Sequence, residues 1–357
     1  MERSYVIALD THCTFTEIGV LTPGGRLTHR GRCPTAIPEL AKRIADVSRP
    51  RHLVMEEGPL ADWLMRHLRP HVDEVLICDP RRNHLIAKDS DKDDPIDVEK
   101  LARLYRGGYV KAVHHPESLA RMVFKRHVGL YHDSVRARVR LANRVMAEAR
   151  LYGVFVSEKS FSEPKGRRDV EEQLPDSSMV RSDVRWLLHA YDAAVERAAG
   201  MRASLIRHAK KEPMIVRFHA LPGVKWIRAS TFFVYVDTPR RFPSKQALWK
   251  YLGIGLERRH SGAGPERVQV PRRVHRVLKS MILGAAKSAI RSRENPFAEQ
   301  HERWIDGGLT SRNARRNVAR SLAATMWGMW KTDSDYRPEQ VGLRAVERIV
   351  VPSGKNR

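Results

Sequence analysis

Cysteine is scarce in this sequence, and long apolar runs are missing. Cys13, Cys33 and Cys78 are the only three in 357 residues, odd in number and without the paired spacing of a zinc site. Neither a disulfide framework nor a structural metal cluster is expected, and a reducing, cytoplasmic setting fits. The longest apolar runs, such as Tyr5 to Leu9, have the length of a buried strand and fall short of the roughly 20 residues that span a bilayer. Glu2 and Arg3 precede a run too short for the core of a signal peptide, so no leader is expected. Acidic residues are also in deficit: 41 Asp plus Glu face 65 Lys plus Arg, a formal net charge of +24. With a sequence pI of about 10.4, this imbalance calls for a polyanionic partner, and nucleic acid is a better candidate than a membrane surface. The length implies two or three folding units.

What is present begins with short apolar runs alternating with helical patterns. Tyr5 to Leu9, Phe15 to Leu21 and Arg26 to Arg30 read as strands, the last two joined by a Pro23-Gly24-Gly25 hairpin. A helix around Ile37 to Val47, a strand His52 to Met55, a helix around Leu60 to Leu68 and a strand Glu74 to Cys78 follow. The order β-β-β-α-β-α-β-α is the one used by RNase H-like nuclease folds. From Pro116 to Tyr152 the pattern is helical and basic, and a second long helix runs from Arg181 to Lys211, with Trp186, Leu187, Tyr191 and Val195 spaced to pack on the first. The two predict an antiparallel coiled-coil arm, and Ser157 to Ser178 between them, with Pro164 and Pro175, reads as a loop. Leu221-Pro222-Gly223-Val224 resembles the hairpin of a helix-hairpin-helix motif, and a helix is expected from Ile227 to Val236. Asp333 to Arg357 reads as a polar, poorly ordered tail.

Four acids stand where phosphodiester chemistry would use them. Asp10 ends the first strand, Glu56 ends the strand after the first crossover helix, and Asp94 and Asp97 lie three apart at a helix start, on one face. Two Mg²⁺ ions about 3.5–4 Å apart need hard oxygen ligands of this kind. Each acid also has a plain structural reading. Asp94, Pro95 and Asp97 make an ordinary capped helix start, Asp10 suits a strand-terminating turn, and Glu57 competes with Glu56.

In this order the residues resemble a known family. Ala8-Leu9-Asp10, Val54-Met55-Glu56-Glu57-Gly58-Pro59 and Lys92-Asp93-Asp94-Pro95-Ile96-Asp97-Val98 look like the amino-terminal blocks of the DEDD-type insertion-sequence transposases, whose characterised members are bridge-RNA-guided recombinases; pilin-gene invertases are related. Leu221-Pro222-Gly223-Val224, Arg241-Phe242-Pro243-Ser244, Tyr251-Leu252-Gly253-Ile254 and His260-Ser261-Gly262 follow in the family's order, so the resemblance covers most of Ser4 to Trp330. It departs after the serine, where Val270-Pro271-Arg272-Arg273-Val274-His275 replaces the usual Ser-Lys-x-Gly-Asn block.

The resemblance implies an α/β plus α chain: an RNase H-like (RuvC-like) domain over 1–115, a helical coiled-coil arm over 116–212, a mostly helical transposase domain with a helix-hairpin-helix-like segment over 213–332, and a tail over 333–357. It implies that Asp10, Glu56, Asp94 and Asp97 bind Mg²⁺, with Mn²⁺ as a substitute, and that Ser261 is the nucleophile. Arg258, Arg259, Arg267, Arg272, Arg273, Arg276 and Lys279 surround that serine in a basic, Gly-containing segment suited to phosphate. Double-stranded DNA at donor and target sites, a structured guide RNA and a dimer or tetramer are the implied partners, in a prokaryotic cytoplasm and on its nucleoid. A Mg²⁺-dependent junction-resolving nuclease, or a site-specific DNA invertase without guide RNA, would use the same acids.

Overall fold

The computed structural model describes residues 4–80, 94–116, 118–259, 267–269, 274–292 and 294–341. The chain divides into two compact units, Met1–Glu117 and Ser118–Arg357.

The amino-terminal unit is a five-stranded mixed sheet. Its strands are β1 (Tyr5–Thr11), β2 (Phe15–Leu21), β3 (Leu27–Pro34), β4 (Arg51–Glu56) and β5 (Glu74–Cys78), in the order β3-β2-β1-β4-β5. β2 pairs antiparallel with both β1 and β3, whereas β4 runs parallel to β1 and β5. Strand alternation sorts the apolar residues onto two faces. Ile7, Leu9, Leu53 and Met55 pack beneath helices α1 (Ile37–Ala45) and α2 (Ala61–Leu68). Val6, Ala8 and Val54 face α3 (Asp94–Arg106) through Val98, Leu101 and Ala102.

Two small residues set the depth of α3. Ala8 pairs with Gly19, and a Cβ added at Gly19 would lie 3.0 Å from Cγ2 of Val98. The direction of α3 is fixed at its other end. The Tyr105 hydroxyl is 2.9 Å from Nδ1 of His52, near the start of β4, and Arg106 donates to the Ser4 carbonyl at 3.2 Å. The first turn of α3 therefore lies toward the carboxyl ends of β1 and β4. On the opposite face, buried Arg51 donates to the carbonyls of Ile44 (2.6 Å), Ala45 (3.0 Å) and His71 (2.7 Å), closing the ends of α1 and the turn Arg69–His71.

The second unit is helical. α4 (Leu119–Leu151) and α7 (Ser178–Ala209) run antiparallel, since Val128 shares a core with Leu205 and Ala209, and Val145 and Ala149 share one with Val184 and Leu188. Of the residues expected in this seam, Leu187 and Tyr191 fill it, joined by Leu188, whereas Trp186 and Val195 are exposed, at 69% and 37%, because the contact stripe lies beside them. The expected loop 157–178 holds two short helices, α5 (Glu158–Phe161) and α6 (Pro164–Gln173). Pro164 begins α6, where its missing N–H costs nothing, and Arg167 ties α6 to α7 through both oxygens of Asp192 at 2.6 and 2.5 Å.

The remaining helices are α8 (Pro213–His219), α9 (Trp226–Val236), α10 (Lys245–Tyr251), α11 (Arg276–Arg291), α12 (Pro296–Asp306) and α13 (Ser311–Thr332). Apolar α9 is buried along most of its length, and Trp330 of α13 stacks on its Phe233, ring centres 5.0 Å apart. The first part of the segment expected as a free tail, from Asp333 to Val341, is packed against the helices. Arg217 binds Asp333 at 2.5 Å and Asp335 at 3.2 Å, and Tyr336 stacks on Phe297, so the chain stays docked to Val341.

The close approach at Gly19 makes a direct prediction. Gly19→Val should overpack the α3 face and destabilise the protein by about 1–3 kcal/mol, read as a lower urea midpoint; an unchanged midpoint would show that α3 does not sit in this notch.

Candidate active site

Asp10 and Glu56 come together through strand pairing. The parallel register pairs Leu9 with Met55, so the next residues, Asp10 and Glu56, are side by side at the carboxyl edge of the sheet. Alternation puts both on the α3 face, continuing Val6-Ala8 and Val54. Asp10 does not end its strand: β1 runs on to Thr11, and Asp10 is held opposite Glu17 of β2. Its side chain is one-third exposed, and Nε2 of His12 lies 3.3 Å from Oδ2. Glu56 is exposed.

Glu17 and Arg32, which no sequence motif singles out, stand beside this pair. Glu17 lies across from Asp10 with its side chain almost wholly buried, and Nε of Arg32 approaches it at 2.6 Å. The Arg32 guanidinium also lies 3.9 Å from the Phe15 ring centre, and His12 stacks on that ring at 4.4 Å. The signal was available in β2, whose alternation puts Glu17 on the same face as Gly19.

Asp94 is the first residue of α3 and Asp97 is exposed in its first turn, at the end of the helix that lies toward Asp10 and Glu56. A helix amino terminus carries partial positive charge, which favours carboxylates there. The side chain of Asp94 lies outside the described residues. Among those described, no three His, Cys, Asp or Glu side chains form a metal-holding group. Asp10, Glu56 and Asp97 carry hard oxygen donors, the type that Mg²⁺ takes, and the register sets the first two side by side at the sheet edge.

In the helical unit, β6 (Glu257–Arg259) and β7 (Arg267–Gln269) form a hairpin, with Arg258 opposite Val268 and Arg259 opposite Arg267. Ser261, Arg272 and Arg273 lie outside the described residues. The chain on either side of the hairpin is pinned. Gly253, at φ +72°, comes so near Val274 that a Cβ would lie 2.8 Å from Val274 Cβ, and Arg320 donates to the Ile254 carbonyl at 2.8 Å. Just beyond, α11 starts with exposed Arg276 and half-buried Lys279.

The Leu221–Val224 turn joins α8 to α9 and packs inward. Gly223 has φ +76°, and a Cβ there would lie 2.2 Å from the Ala285 carbonyl oxygen of α11, so this contact requires the glycine. Arg228 donates to the Gly223 carbonyl at 2.6 Å and to Ser288 at 2.9 Å, locking the turn.

Two histidines support this region in neutral form. Nδ1 of His275 accepts the Leu278 N–H at 3.3 Å as the amino-terminal cap of α11, and its ring lies 4.4 Å from that of Tyr235. Thr231 gives its hydroxyl hydrogen to the Ile227 carbonyl, so Nε2 of His132 donates to Thr231, at 2.9 Å. Burial, then Arg136, pushes the His132 pKa down to about 4; burial and then Lys125 lower that of His275.

Residues 216–302 match the family model Transposase IS116/IS110/IS902 family. The match runs from α8 to α12 and takes in the hairpin. It supports insertion-sequence transposase activity, the cutting and joining of DNA. No curated protein matches the sequence. No described helix is long and apolar enough to cross a membrane.

The histidines set a pH dependence. Below about 6.5 the unfolded chain takes up protons that folded His132 and His275 resist, so stability is full above that value and falls toward about pH 4. Urea midpoints across this window should drop on acidification, and His132→Asn should flatten the slope. A wild-type midpoint independent of pH would rule this out.

Proposed function

We propose that this protein is an RNA-guided DNA recombinase of an insertion sequence. In this reading an RNase H-like unit supplies the carboxylates and a helical unit supplies the serine. The observation that carries it is the parallel pairing of β1 with β4, which sets Asp10 beside Glu56 at the sheet edge, together with the transposase match over 216–302. The strand order β3-β2-β1-β4-β5 supports the RNase H-like assignment, because in that arrangement the first and fourth strands are neighbours.

Asp10, Glu56, Asp94 and Asp97 would hold Mg²⁺, or Mn²⁺ in its stead, whose chemistry is to stabilise negative charge on the scissile phosphate. His12, beside Asp10, and Arg32, beside Glu17, offset the charge of so many acids at one edge. A serine hydroxyl is a weak nucleophile and needs neighbouring positive charge as it attacks phosphorus. Arg258, Arg259, Arg267, Arg272, Arg273, Arg276 and Lys279 are of the right type to supply it and to hold the strand. Ser261 attacks the phosphate, its oxygen bonds to phosphorus, and the cut strand leaves with a free hydroxyl, giving a phosphoserine link that a second strand end later resolves. Recombination brings two duplexes together, so the working form is a dimer or tetramer. α4 carries eight Lys or Arg against Asp133 and Glu148 between Leu119 and Arg150, and this charge suits the guide RNA.

The test is Mg²⁺-dependent recombination with RNA transcribed from the flanking DNA, comparing wild type, Asp10→Ala and Ser261→Ala. Both variants should be inactive, each with a loss of at least about 10³-fold, and wild type alone should form a covalent protein–DNA adduct. Continued cleavage by Ser261→Ala without an adduct would instead identify a metal-dependent junction nuclease.

A further inference from the structure

α13 begins with a repeat that neither the carboxylates nor the hairpin explains. Arg312-Asn313, Arg316-Asn317 and Arg320-Ser321 recur every four residues, which keeps the arginines on one face, rising about 6 Å per step. Arg312 is exposed, and Arg316 and Arg320 are half-buried. The opposite face, with Ala314, Val318, Leu322 and Met326, is in the core.

Each asparagine orients the next arginine. Asn313 Oδ1 accepts from Arg316 Nη1 at 3.4 Å, and Asn317 Oδ1 accepts from Arg320 Nη1 at 2.6 Å. Among the described residues, no carboxylate lies within ion-pair distance of Arg312, Arg316 or Arg320, although Arg residues elsewhere in this unit have such partners, including Arg167, Arg185 and Arg217. The pKa values of Arg316 and Arg320 are lowered by burial and then by the neighbouring arginines. Aligned like charges without counter-charge are unfavourable in the free protein, and a row of phosphates would relieve them.

The ladder also has a direction. Its last member donates through Nε to the Ile254 carbonyl, and Trp249 donates to the Arg320 carbonyl at 2.9 Å, so it ends at the chain leading into the β6–β7 hairpin. It lies outside the family match at 216–302.

We infer that Arg312, Arg316 and Arg320 form a phosphate-binding track that guides a DNA strand toward the β6–β7 hairpin. This rests on the reading of the protein as a DNA recombinase. Arg320 anchors the track, and Arg312 and Arg316 grip successive phosphates.

The experiment measures binding of full-length protein to a labelled DNA duplex and to a labelled RNA of the same sequence, in EDTA, as salt is varied. Arg312→Gln/Arg316→Gln should lower the slope of log affinity against log salt for DNA by roughly 1 per arginine. Arg312→Lys/Arg316→Lys, which keeps the charge, should recover most of it. The control Lys42→Gln/Arg69→Gln removes the same charge from exposed positions on the amino-terminal unit and should change the slope less. Circular dichroism melting checks that the variants fold. An equal effect of control and ladder pairs, or a loss confined to RNA, overturns the proposal. Wild type that binds no DNA overturns it together with the recombinase reading, whereas normal wild-type binding unaffected by the glutamine pair overturns the track alone.

Discussion

The depth at which α3 lies on its sheet governs the amino-terminal unit. Ala8 and Gly19 leave a shallow notch at the centre of the β1–β2 pair, and Val98 fills it. A larger pair would lift the helix, and with it the acidic first turn that starts at Asp94. Tyr105 and Arg106 hold the far end by hydrogen bonds to His52 and to the Ser4 carbonyl. Strand pairing sets Asp10 beside Glu56, and apolar packing one turn along α3 fixes where its acidic first turn stands. Rigid elements position reactive groups better than loops do.

Among the described arginines of this basic chain, two contrasting kinds stand out. Arg51 and Arg228 are matched by backbone carbonyls, and Arg167 by a carboxylate. They close helix ends and turns, so their hydrogen bonds serve the fold. Arg316 and Arg320 are aligned by asparagines and a carbonyl, and with Arg312 they meet no acid among the described residues. The formal charge of +24 does not distinguish the two kinds; only partner geometry does.

Much of the amino-terminal unit was legible because strand alternation and turn residues are local signals. All five strands follow from them, whereas the adjacency of the strands bearing Asp10 and Glu56 comes only from the likeness of element order to RNase H-like folds, since pairing between distant strands leaves no local signal. Glu17 was overlooked because an acid inside an apolar strand reads as a solvent-facing residue until its cross-strand neighbours are known. α6 was taken for a loop because proline and glycine suggest interruption, whereas Pro164 starts that helix and Gly166 lets it pass close to the Ser160 carbonyl. Trp186 was assigned to the helix seam on spacing alone, and two adjacent stripes of a long helix differ by only one residue in phase. The track on α13 needed the structure, since a run of arginines in sequence does not say which have partners.

The contacts beside the β6–β7 hairpin bear on how this protein can change over evolution. Gly253 against Val274, and Arg320 on the Ile254 carbonyl, fasten the chain before and after the hairpin to the helical core. Loop closure cost rises slowly with length, so the segment between the fastenings can gain, lose or exchange residues while the helices beneath keep their places. A change of length between the fastenings therefore falls on the connection alone, and the helical core that holds Gly253, Ile254 and Val274 in place is spared it.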